Sequence, residues 1–253
     1  MNDTNWKIWD KDETVELRTF HRTLRKLPEM ECAKQLSSLI AKIFQKNMTI
    51  LDVGCASGHY YHSLKNLDID LIYKGIDSTV KYIEFAKEYF VNNNNVSFDI
   101  IDIYNLDKEL NQKFDIVFCC NVILHLPTFQ KPLVNLINAS NKYIFVRTLI
   151  SDKTHLSKFL HEDDFDQNDK PINFCYQNTY SRSSIEEFIN SNKDFNNKIE
   201  IEFIEDKYIA ENINIEYNNY NELQNAVTNV SNNIQIAGSK VFEWEWLKIK
   251  KVG

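Results

Sequence analysis

The feature of this chain that most constrains its fold is a pair of glycines four residues apart, directly after a short apolar run. Residues 48–53 read MTILDV, and the loop that follows holds Gly54 and Gly58 before a stretch of helical character. The chain has only five glycines in 253 residues, whereas an average composition would supply about 7%. Two of these few glycines lie together between an apolar run and a helical stretch, which indicates a strand that turns tightly into a helix N-terminus. This arrangement is typical of nucleotide-binding sites.

Apolar runs alternate with helical stretches after this loop. Five runs predict strands, at 50–53, 71–77, 96–102, 114–120 and 142–148. The fourth run is almost continuously apolar, as expected of a central parallel strand buried on both faces. We therefore predict an α/β fold with a doubly wound, mostly parallel sheet, whose ligand lies at the carboxyl ends of the strands.

The flanking regions predict how the rest of the chain is organised around this sheet. Residues 1–47 have helical spacing and are interpreted as an N-terminal helical lid, followed by the core at 48–150. Residues 151–182 lack periodicity and are too long for a plain connection, so we interpret them as a cap insertion. Residues 183–253 are predicted to add a helix and two final strands.

Charge and cysteine content limit the partners and the compartment. The net charge is −7 and the isoelectric point about 5.4, which argues against a surface dedicated to nucleic acid. No apolar run approaches the roughly 20 residues needed to span a bilayer, and the N-terminus does not resemble a signal peptide. The five cysteines contain no C-x-x-C pair, so we predict reduced thiols in a cytoplasmic protein.

Acidic residues stand at the ends of the first three predicted strands. Asp52 precedes the glycine loop, where its charge would repel a dinucleotide's diphosphate but tolerate a ligand carrying an ammonium group. Asp77 stands where an acid commonly accepts hydrogen bonds from a ribose diol; a helix cap is the alternative. Asp102, beside Ile103, could accept from an adenine amino group, and the alternative is a solvated loop acid.

Together with the run FDIVFCCNVILHL at 114–126, these segments resemble the motifs of class I S-adenosylmethionine-dependent methyltransferases. The motifs follow the family's order over residues 48–127, with Ala56 where many members have glycine. The resemblance implies a Rossmann-like, seven-stranded sheet whose last two strands form an antiparallel hairpin, near 199–204 and 241–249. The strict alternation at 241–250 predicts an edge strand, and the cap would cover the acceptor pocket.

The resemblance also implies how the chain would hold S-adenosyl-L-methionine, with S-adenosyl-L-homocysteine as the product. The acid and first glycine of the loop would lie by the methionine part, and the acids after the second and third strands by the ribose and the adenine. The backbone after the fourth strand would lie beneath the cofactor. The predicted cofactor-binding residues are Asp52, Gly54, Ser57, Gly58, Asp77, Asp102, Ile103 and Cys120.

The arginines suggest the acceptor, because the chain has only five of them. Arg18, Arg22 and Arg25 share one face of a predicted helix. Arg147 ends the fifth strand, and Arg182 follows the cap. Guanidinium groups suit phosphate and carboxylate. Arg22, Arg147 and Arg182 are therefore predicted to bind a small anionic metabolite, phosphorylated or nucleotide-linked. The alternative for the helical arginines is a set of surface ion pairs.

Three side chains are candidate general bases for a hydroxyl acceptor: His125, His21 and Tyr180. His125 serves equally well as a structural anchor of its turn. The sequence after the fourth strand lacks the Asp/Asn-Pro-Pro-Tyr/Phe motif of nucleic-acid N-methyltransferases, which argues against base-amino methylation. The acidic run at 161–166 is interpreted as a solvated loop, so no metal site is predicted.

These residues predict a methyltransferase that acts on an oxygen of a small anionic metabolite, with surface-glycan precursors such as those of capsule polysaccharide as a possible pathway. Trp6 and Trp9 are interpreted as part of the lid, with core packing or a dimer contact as the alternative. An RNA or protein methyltransferase and a non-catalytic cofactor-binding subunit are the rival hypotheses. The choice between monomer and homodimer stays open, and no membrane partner is expected.

Overall fold

A mixed β-sheet with helices on both faces forms the centre of the computed structural model. The structure describes residues 6–68, 70–160, 165–206, 229–231, 234–237 and 240–252, with backbone only between 229 and 242. The strands are β1 (Thr49–Val53), β2 (Ile72–Asp77), β3 (Val96–Ile100), β4 (Phe114–Cys120), β5 (Ser140–Ser151), β6 (Lys158–Leu160), β7 (Phe174–Tyr176), β8 (Tyr180–Ser181), β9 (Ile199–Glu205), β10 (Asn229–Ser231), β11 (Ile234–Ala237), β12 (Lys240–Phe242) and β13 (Trp244–Lys251).

The helices occupy the connections between these strands and the N-terminal region. They are α1 (Glu13–Thr23), α2 (Glu31–Ala41), α3 (Tyr61–Leu64), α4 (Val80–Tyr89), α5 (Leu106–Glu109), α6 (Gln130–Ala139) and α7 (Arg182–Ser191). None of the helices in the described ranges is long and apolar enough to cross a bilayer.

The main sheet has the order β3-β2-β1-β4-β5-β13-β9. The first five strands of this order are parallel, whereas β13 is antiparallel to both β5 and β9. β4 lies at the centre, and every residue of it except Asp115 is buried. The predicted doubly wound sheet with a central fourth strand is therefore confirmed, including the antiparallel pair at its end.

The prediction that the final strand lies at an edge of the sheet is wrong. β13 pairs with β5 on one side, with Trp246 opposite Arg147, and with β9 on the other side, with Trp246 opposite Ile204. The edge strand is β9. Period-two alternation reports which face of the sheet a side chain occupies, and it contains no information about how many strands lie alongside.

Two apolar layers enclose the sheet. One layer holds Leu51, Val117 and Ile144 with residues of α6 and α7, and the other holds Ile50, Ile116 and Phe145 with residues of α2 and α4. Consecutive residues of β1, β4 and β5 thus point to opposite layers, which is the pattern of a strand covered on both faces. This packing holds the carboxyl ends of the parallel strands rigidly beside one another.

The segment between β5 and α7 returns to the same end of the sheet. β6 and β7 form an antiparallel hairpin, and β8 pairs in parallel with the end of β5. The amide of Asn178 donates to the carbonyl of Leu124, and its side chain donates to the carbonyl of Leu126. The predicted cap region is therefore tied by hydrogen bonds to the turn that follows β4.

Candidate active site

A cavity of about 450 Å³ lies at the carboxyl ends of β1 to β4. Its wall combines the loops after these strands with one face of α1 and the N-terminal residues that precede α1. A cavity of this size is typical of small-molecule and cofactor sites. Its position agrees with the general rule that open α/β sheets bind ligands beyond the carboxyl ends of their strands.

The glycine loop forms the floor of this cavity. Gly54 and Gly58 have φ angles of +77° and +82°, a region that side-chain-bearing residues rarely adopt. A Cβ atom on Gly54 would collide with Cγ2 of Val122, whereas one on Gly58 would lie 2.6 Å from Cζ of Phe98. Gly54 lines the cavity and Gly58 does not, so Gly58 serves the packing of the loop on the sheet.

Asp77 joins the loops that follow β1 and β2. Its carboxylate accepts hydrogen bonds from the amides of Ala56 and Thr79, each at 2.9 Å. Burial raises the pKa of Asp77, and these two amide bonds act in the opposite direction. Asp77 also lines the cavity, where a carboxylate oxygen has lone pairs left for a ligand hydroxyl.

Asp52, in β1, and Ser57, within the loop, are both buried and do not line the cavity. The Tyr73 hydroxyl donates to Asp52 at 2.5 Å, and burial raises the pKa of this carboxyl. The Ser57 hydroxyl donates to the carbonyl of Thr19 at 3.1 Å and shares a second hydrogen bond with Thr23. Both residues support the loop from behind, and Tyr73 is a partner that no pattern in the sequence indicated.

Asp102 lies at the start of the turn after β3. One carboxylate oxygen accepts from the amide of Tyr104 at 3.0 Å, and the other accepts from Nζ of Lys7 at 2.6 Å. Asp102, Ile103 and Lys7 all line the cavity, together with Trp6 and Trp9. The N-terminal residues therefore lie against the site, and Lys7 is a functional candidate that the sequence reasoning missed.

The end of β4 contributes Cys120 and Asn121 to the cavity wall. Cys120 is buried, and Asn121 has a φ of +60°. The amide nitrogen of Asn121 donates to the carbonyl of Arg147, and its side-chain oxygen accepts from Nη1 of Arg147 at 2.5 Å. Both backbone and side chain of Asn121 are thus held by the neighbouring strand.

His125 is the one predicted base that lines the cavity. Its Nδ1 is 2.8 Å from the carbonyl of Tyr176, and its ring contacts Trp9 edge-on. Because a carbonyl only accepts, the partner assigns the proton to Nδ1 and leaves Nε2 with a lone pair. Burial lowers the pKa of His125 to about 4, although the bond to Tyr176 acts in the opposite direction.

The other two predicted bases lie outside the cavity. Tyr180 is 1% exposed, and its hydroxyl accepts from the side chain of Asn178. Burial raises the pKa of Tyr180 to about 12. His21 lies on α1 and is not part of the cavity wall. Neither side chain therefore reaches the cavity in which a ligand would bind.

Of the three arginines predicted to bind substrate, only Arg22 lines the cavity, and Arg18 joins it. Arg147 is 2% exposed and forms a buried ion pair with Asp206. Arg182 is exposed and donates to both carboxylate oxygens of Glu245. The prediction that Arg147 ends the fifth strand is wrong, because β5 continues to Ser151. The carboxylates of Asp206 and Glu245 hold these two guanidinium groups outside the cavity wall.

His59 is a second side chain that sequence reasoning missed. It follows Gly58 directly and lines the cavity, and among the described residues neither ring nitrogen has a hydrogen-bond partner. Burial, together with Arg22 and His62 nearby, lowers the pKa of His59 to about 3. A neutral imidazole with two unsatisfied nitrogens in a cavity wall is a polar group available to a ligand.

The two cavity histidines predict a pH dependence of stability. In the unfolded chain their pKa values return to about 6.5, so between the folded values and 6.5 the unfolded chain binds more protons. The contribution that these two histidines make to the unfolding free energy is therefore complete above about pH 6.5. It is lost as the pH falls toward 4. We expect His125→Gln to flatten the rise in urea stability between pH 4.5 and 7.5, relative to wild type.

The matched control is His155→Gln, which replaces an exposed histidine outside the cavity. Comparing variants with wild type removes the contributions of the buried carboxyls, whose raised pKa values act with the opposite sign. Equal pH slopes for wild type and His125→Gln would contradict the prediction.

Within the described ranges, no group of three or more His, Cys, Asp or Glu side chains is arranged to hold a metal ion. Of the acidic run at 161–166, only Phe165 and Asp166 lie within those ranges. Asp166 accepts hydrogen bonds from the amides of Asn168 and Lys170. This carboxylate therefore stabilises its own turn.

The residues present fit S-adenosylmethionine. The carboxylates of Asp77 and Asp102 stand at neighbouring strand ends, as acceptors for a ribose diol and an adenine amino group. Ile101 and Ile103 add apolar surface beside them, and Gly54 brings bare backbone to the cavity wall at a place where a Cβ atom would collide with Val122. The cavity wall also holds the guanidinium groups of α1, which suit a carboxylate.

Comparisons with known proteins agree with this geometry. A family model described as a methyltransferase domain matches residues 44–200, more than half of the chain. A putative methyltransferase 235L of Invertebrate iridescent virus 6 is 28% identical over 114 residues, which is 44% of this chain and 41% of that protein. A tRNA U34 carboxymethyltransferase of Campylobacter fetus is 28% identical over 109 residues, 41% of this chain and 37% of that protein. The match thus spans less than half the length of these relatives.

Solved structures share the fold over nearly the whole chain. Magnesium protoporphyrin IX methyltransferase of Synechocystis PCC 6803, with bound S-adenosylhomocysteine, has a TM-score of 0.58 at 11% identity and covers 97% of both chains. The plantazolicin methyltransferase BamL, in complex with a triazolic desmethylPZN analog and S-adenosylhomocysteine, has a TM-score of 0.57 at 16% identity. Its superposition covers 97% of this chain and 92% of that chain. The chain belongs to the methyltransferase domain family and has the class I, Rossmann-like fold of S-adenosylmethionine-dependent methyltransferases.

Proposed function

We propose that this enzyme transfers a methyl group to an oxygen of a small anionic acceptor bound in the same cavity as the cofactor. The observation that carries the proposal is the cavity wall of α1, where Arg18 and Arg22 stand one helical turn apart and His59 lies beside them. Guanidinium groups recognise phosphate and carboxylate through paired hydrogen bonds.

Opposite charges line different parts of the cavity. Carboxylates come from the loops after β2 and β3, whereas the guanidinium groups come from α1. The acidic part suits the neutral hydroxyl and amino groups of an adenosine. The basic part suits an anionic group, which is either a group of the acceptor or the methionine carboxylate of the cofactor. The prediction for Arg22 below separates these two sources.

When bound, S-adenosylmethionine supplies an electrophilic methyl carbon, so that the acceptor oxygen forms the new bond as the carbon–sulfur bond breaks and its electron pair leaves with the sulfur. The enzyme's own contribution is alignment of the acceptor. Where the acceptor is a hydroxyl, Nε2 of His125 accepts its proton, because Nδ1 is held by Tyr176. An acceptor that is already an oxyanion needs no base.

Arg22→Ala should raise the KM for the acceptor by about 10- to 100-fold, because a hydrogen-bonded charge contact contributes about 1.5–3 kcal/mol. The Kd for S-adenosylmethionine should change little. The matched control is Arg25→Ala, which removes an exposed arginine outside the cavity. A parallel rise in the cofactor Kd would instead assign Arg22 to the methionine carboxylate and contradict the proposed acceptor contact.

The acceptor class is tested with methyl-labelled S-adenosylmethionine and an extract separated into metabolites and macromolecules. Label in a metabolite that binds an anion exchanger is the expected result, and phosphorylated or nucleotide-linked sugars of surface-glycan synthesis are candidates of this class. The magnesium protoporphyrin and plantazolicin enzymes by their names act on small molecules. Label in RNA would overturn the proposal and agree with the tRNA-modifying relative.

Residues 1–47 are proposed to act as a lid and residues 151–182 as a cap over the acceptor. The positions of Trp6, Lys7 and Trp9 in the cavity wall support the lid. The hydrogen bond that Nδ1 of His125 donates to the carbonyl of Tyr176 supports the cap. A cytoplasmic location is part of the same proposal, supported by five buried cysteines that form no disulfide bond.

Lys7→Met should speed dissociation of S-adenosylmethionine by about 2- to 5-fold, because the ion pair with Asp102 is partly exposed and such pairs contribute about 0–1 kcal/mol. Stopped-flow fluorescence of the nearby tryptophans gives the rate. Lys34→Met, which breaks an ion pair with Glu31 on α2, is the control. Unchanged dissociation in Lys7→Met would show that the lid does not retain the cofactor.

A further inference from the structure

Asn121 is a cavity residue whose side-chain orientation is decided from behind. It is the first residue after β4 and lines the cavity, whereas its partner Arg147 does not. Nη1 of Arg147 donates to Oδ1 of Asn121 at 2.5 Å. A guanidinium has donors and no acceptor, so the amide atom that faces it must be the oxygen.

The remaining polar atom of this amide is Nδ2, which carries two N–H donors. Within the described residues no hydrogen bond is made by Nδ2, so both donors are available on the cavity side. An amide in this orientation can donate to a ligand oxygen. Its oxygen is directed at Arg147, so the atom left to meet a ligand amine is the Nδ2 donor, which cannot accept a hydrogen bond.

Arg147 is itself held on several sides. Its Nε donates to Oδ2 of Asp206 at 2.5 Å, and Nη2 contacts the same oxygen. Its guanidinium lies 4.0 Å from the ring centre of Trp244, and its carbonyl accepts from the amide of Asn121. The side chains of Arg147 and Asp206 are 2% and 0% exposed. A buried pair of this kind is a weak source of net stability, but it holds a guanidinium in one orientation.

We infer that Arg147 is a positioning residue that orients the amide of Asn121 with its N–H donors toward the cavity, and that Asn121 thereby selects an acceptor oxygen over an amine nitrogen. The inference rests on the proposed function, because it concerns the acceptor bound in that cavity. It gives Arg147 a role different from the direct contact with substrate that was predicted for it from the sequence.

The selectivity follows from hydrogen-bond complementarity. An oxygen acceptor, ionised or not, presents a lone pair to Nδ2 and keeps another for the methyl carbon. An amine would direct an N–H toward an N–H, and a buried donor left without a partner costs about 1–3 kcal/mol. The corresponding preference for oxygen is about 5- to 150-fold.

The first test follows the amide of Asn121 by NMR in the full chain with S-adenosylhomocysteine, after ¹⁵N-asparagine labelling. Asn121→Asp identifies its side-chain signal by removing it. Sodium acetate and methylammonium chloride are the probes. We expect a saturable shift of this signal with acetate and none with methylammonium, and a response to methylammonium alone would overturn the inference.

Arg147 variants separate positioning from general stability. Arg147→Lys retains a donor at this place and should keep most of the acetate response, whereas Arg147→Met should reduce it at least threefold with the affinity for S-adenosylhomocysteine unchanged. If Arg147→Met does not fold, the double variant Arg147→Met/Asp206→Asn provides the second protein, since it removes the guanidinium and leaves no buried charge of the pair without its partner. An unchanged amide response in a folded Arg147→Met protein, single or double, would overturn the positioning role.

Turnover provides the second test. With the labelled metabolite in hand, Asn121→Asp, which replaces the donor by an acceptor of equal size, should lower kcat/KM at least tenfold while the cofactor Kd stays within threefold. A product methylated on nitrogen would overturn the selectivity. The absence of any labelled metabolite would contradict the proposed function alone, because the NMR readout of Asn121 does not depend on turnover.

Discussion

Asp77→Ala should weaken the binding of S-adenosylmethionine by about 100-fold or more. Hydrogen bonds to a charged acceptor contribute about 1.5–3 kcal/mol each, and a ribose diol can donate two of them to this carboxylate. The substitution also leaves the amides of Ala56 and Thr79 without their acceptor, so the two loops that line the cavity lose their connection. Titration calorimetry with S-adenosylmethionine measures the loss directly.

Asp77→Asn distinguishes the two contributions. The amide retains one oxygen for a loop amide but lacks the charge and one acceptor, so its Kd should fall between those of wild type and Asp77→Ala. Asp99→Asn is the matched control, because Asp99 is a half-exposed carboxylate of β3 paired with Lys74 and Lys87 outside the cavity. A Kd for Asp77→Ala within threefold of wild type would show that this carboxylate does not hold the ribose.

Gly58→Ala should lower the unfolding free energy by about 2–5 kcal/mol. The φ of +82° costs a side-chain-bearing residue about 1–2 kcal/mol. The added methyl would lie 2.6 and 2.7 Å from two ring carbons of Phe98 and 3.1 Å from Phe90, and overpacking of this kind costs about 1–3 kcal/mol. Urea unfolding followed by circular dichroism measures the change.

Ala56→Gly is the opposing control in the same loop. Ala56 has a φ of +48°, so glycine relieves strain there and should leave stability unchanged or raise it by up to about 1 kcal/mol. Because Gly58 does not line the cavity, the folded Gly58→Ala protein should retain the cofactor Kd of wild type. Equal stability of Gly58→Ala and wild type would mean that the loop can shift away from Phe98 without loss.

The strand-end part of the cavity wall could be predicted largely from the sequence, whereas of the part formed by α1 and the N-terminal residues only Arg22 was predicted as a binding residue. Gly54, Asp77, Asp102, Ile103 and Cys120 all line the cavity, because residues at the ends of parallel strands meet at one edge of the sheet regardless of other details. This second part depends on side chains that reach the cavity from α1 and the N-terminal residues. Their approach depends on packing between elements distant in the chain.

Lys7 and His59 illustrate why such residues were missed. Lys7 lines the cavity because its amine pairs with Asp102, 95 residues away in the chain, and no local spacing relates the two. His59 follows Gly58 in the sequence, but its importance lies in two buried ring nitrogens without partners. Exposure and hydrogen-bond satisfaction are properties of the folded surface, so a sequence pattern cannot report them.

The sequence by itself determined the fold class, the presence of five parallel strands and the glycine loop, because strand periodicity and glycine placement are local properties that the backbone obeys directly. Only the tertiary structure decided that β13 lies inside the sheet and that Arg147 turns toward Asp206 and Asn121. A strand end specifies where a residue stands, whereas the direction of a long charged side chain depends on which opposite charge is buried beside it. The residues that we propose to select the acceptor are among those whose side-chain direction only the tertiary structure decided.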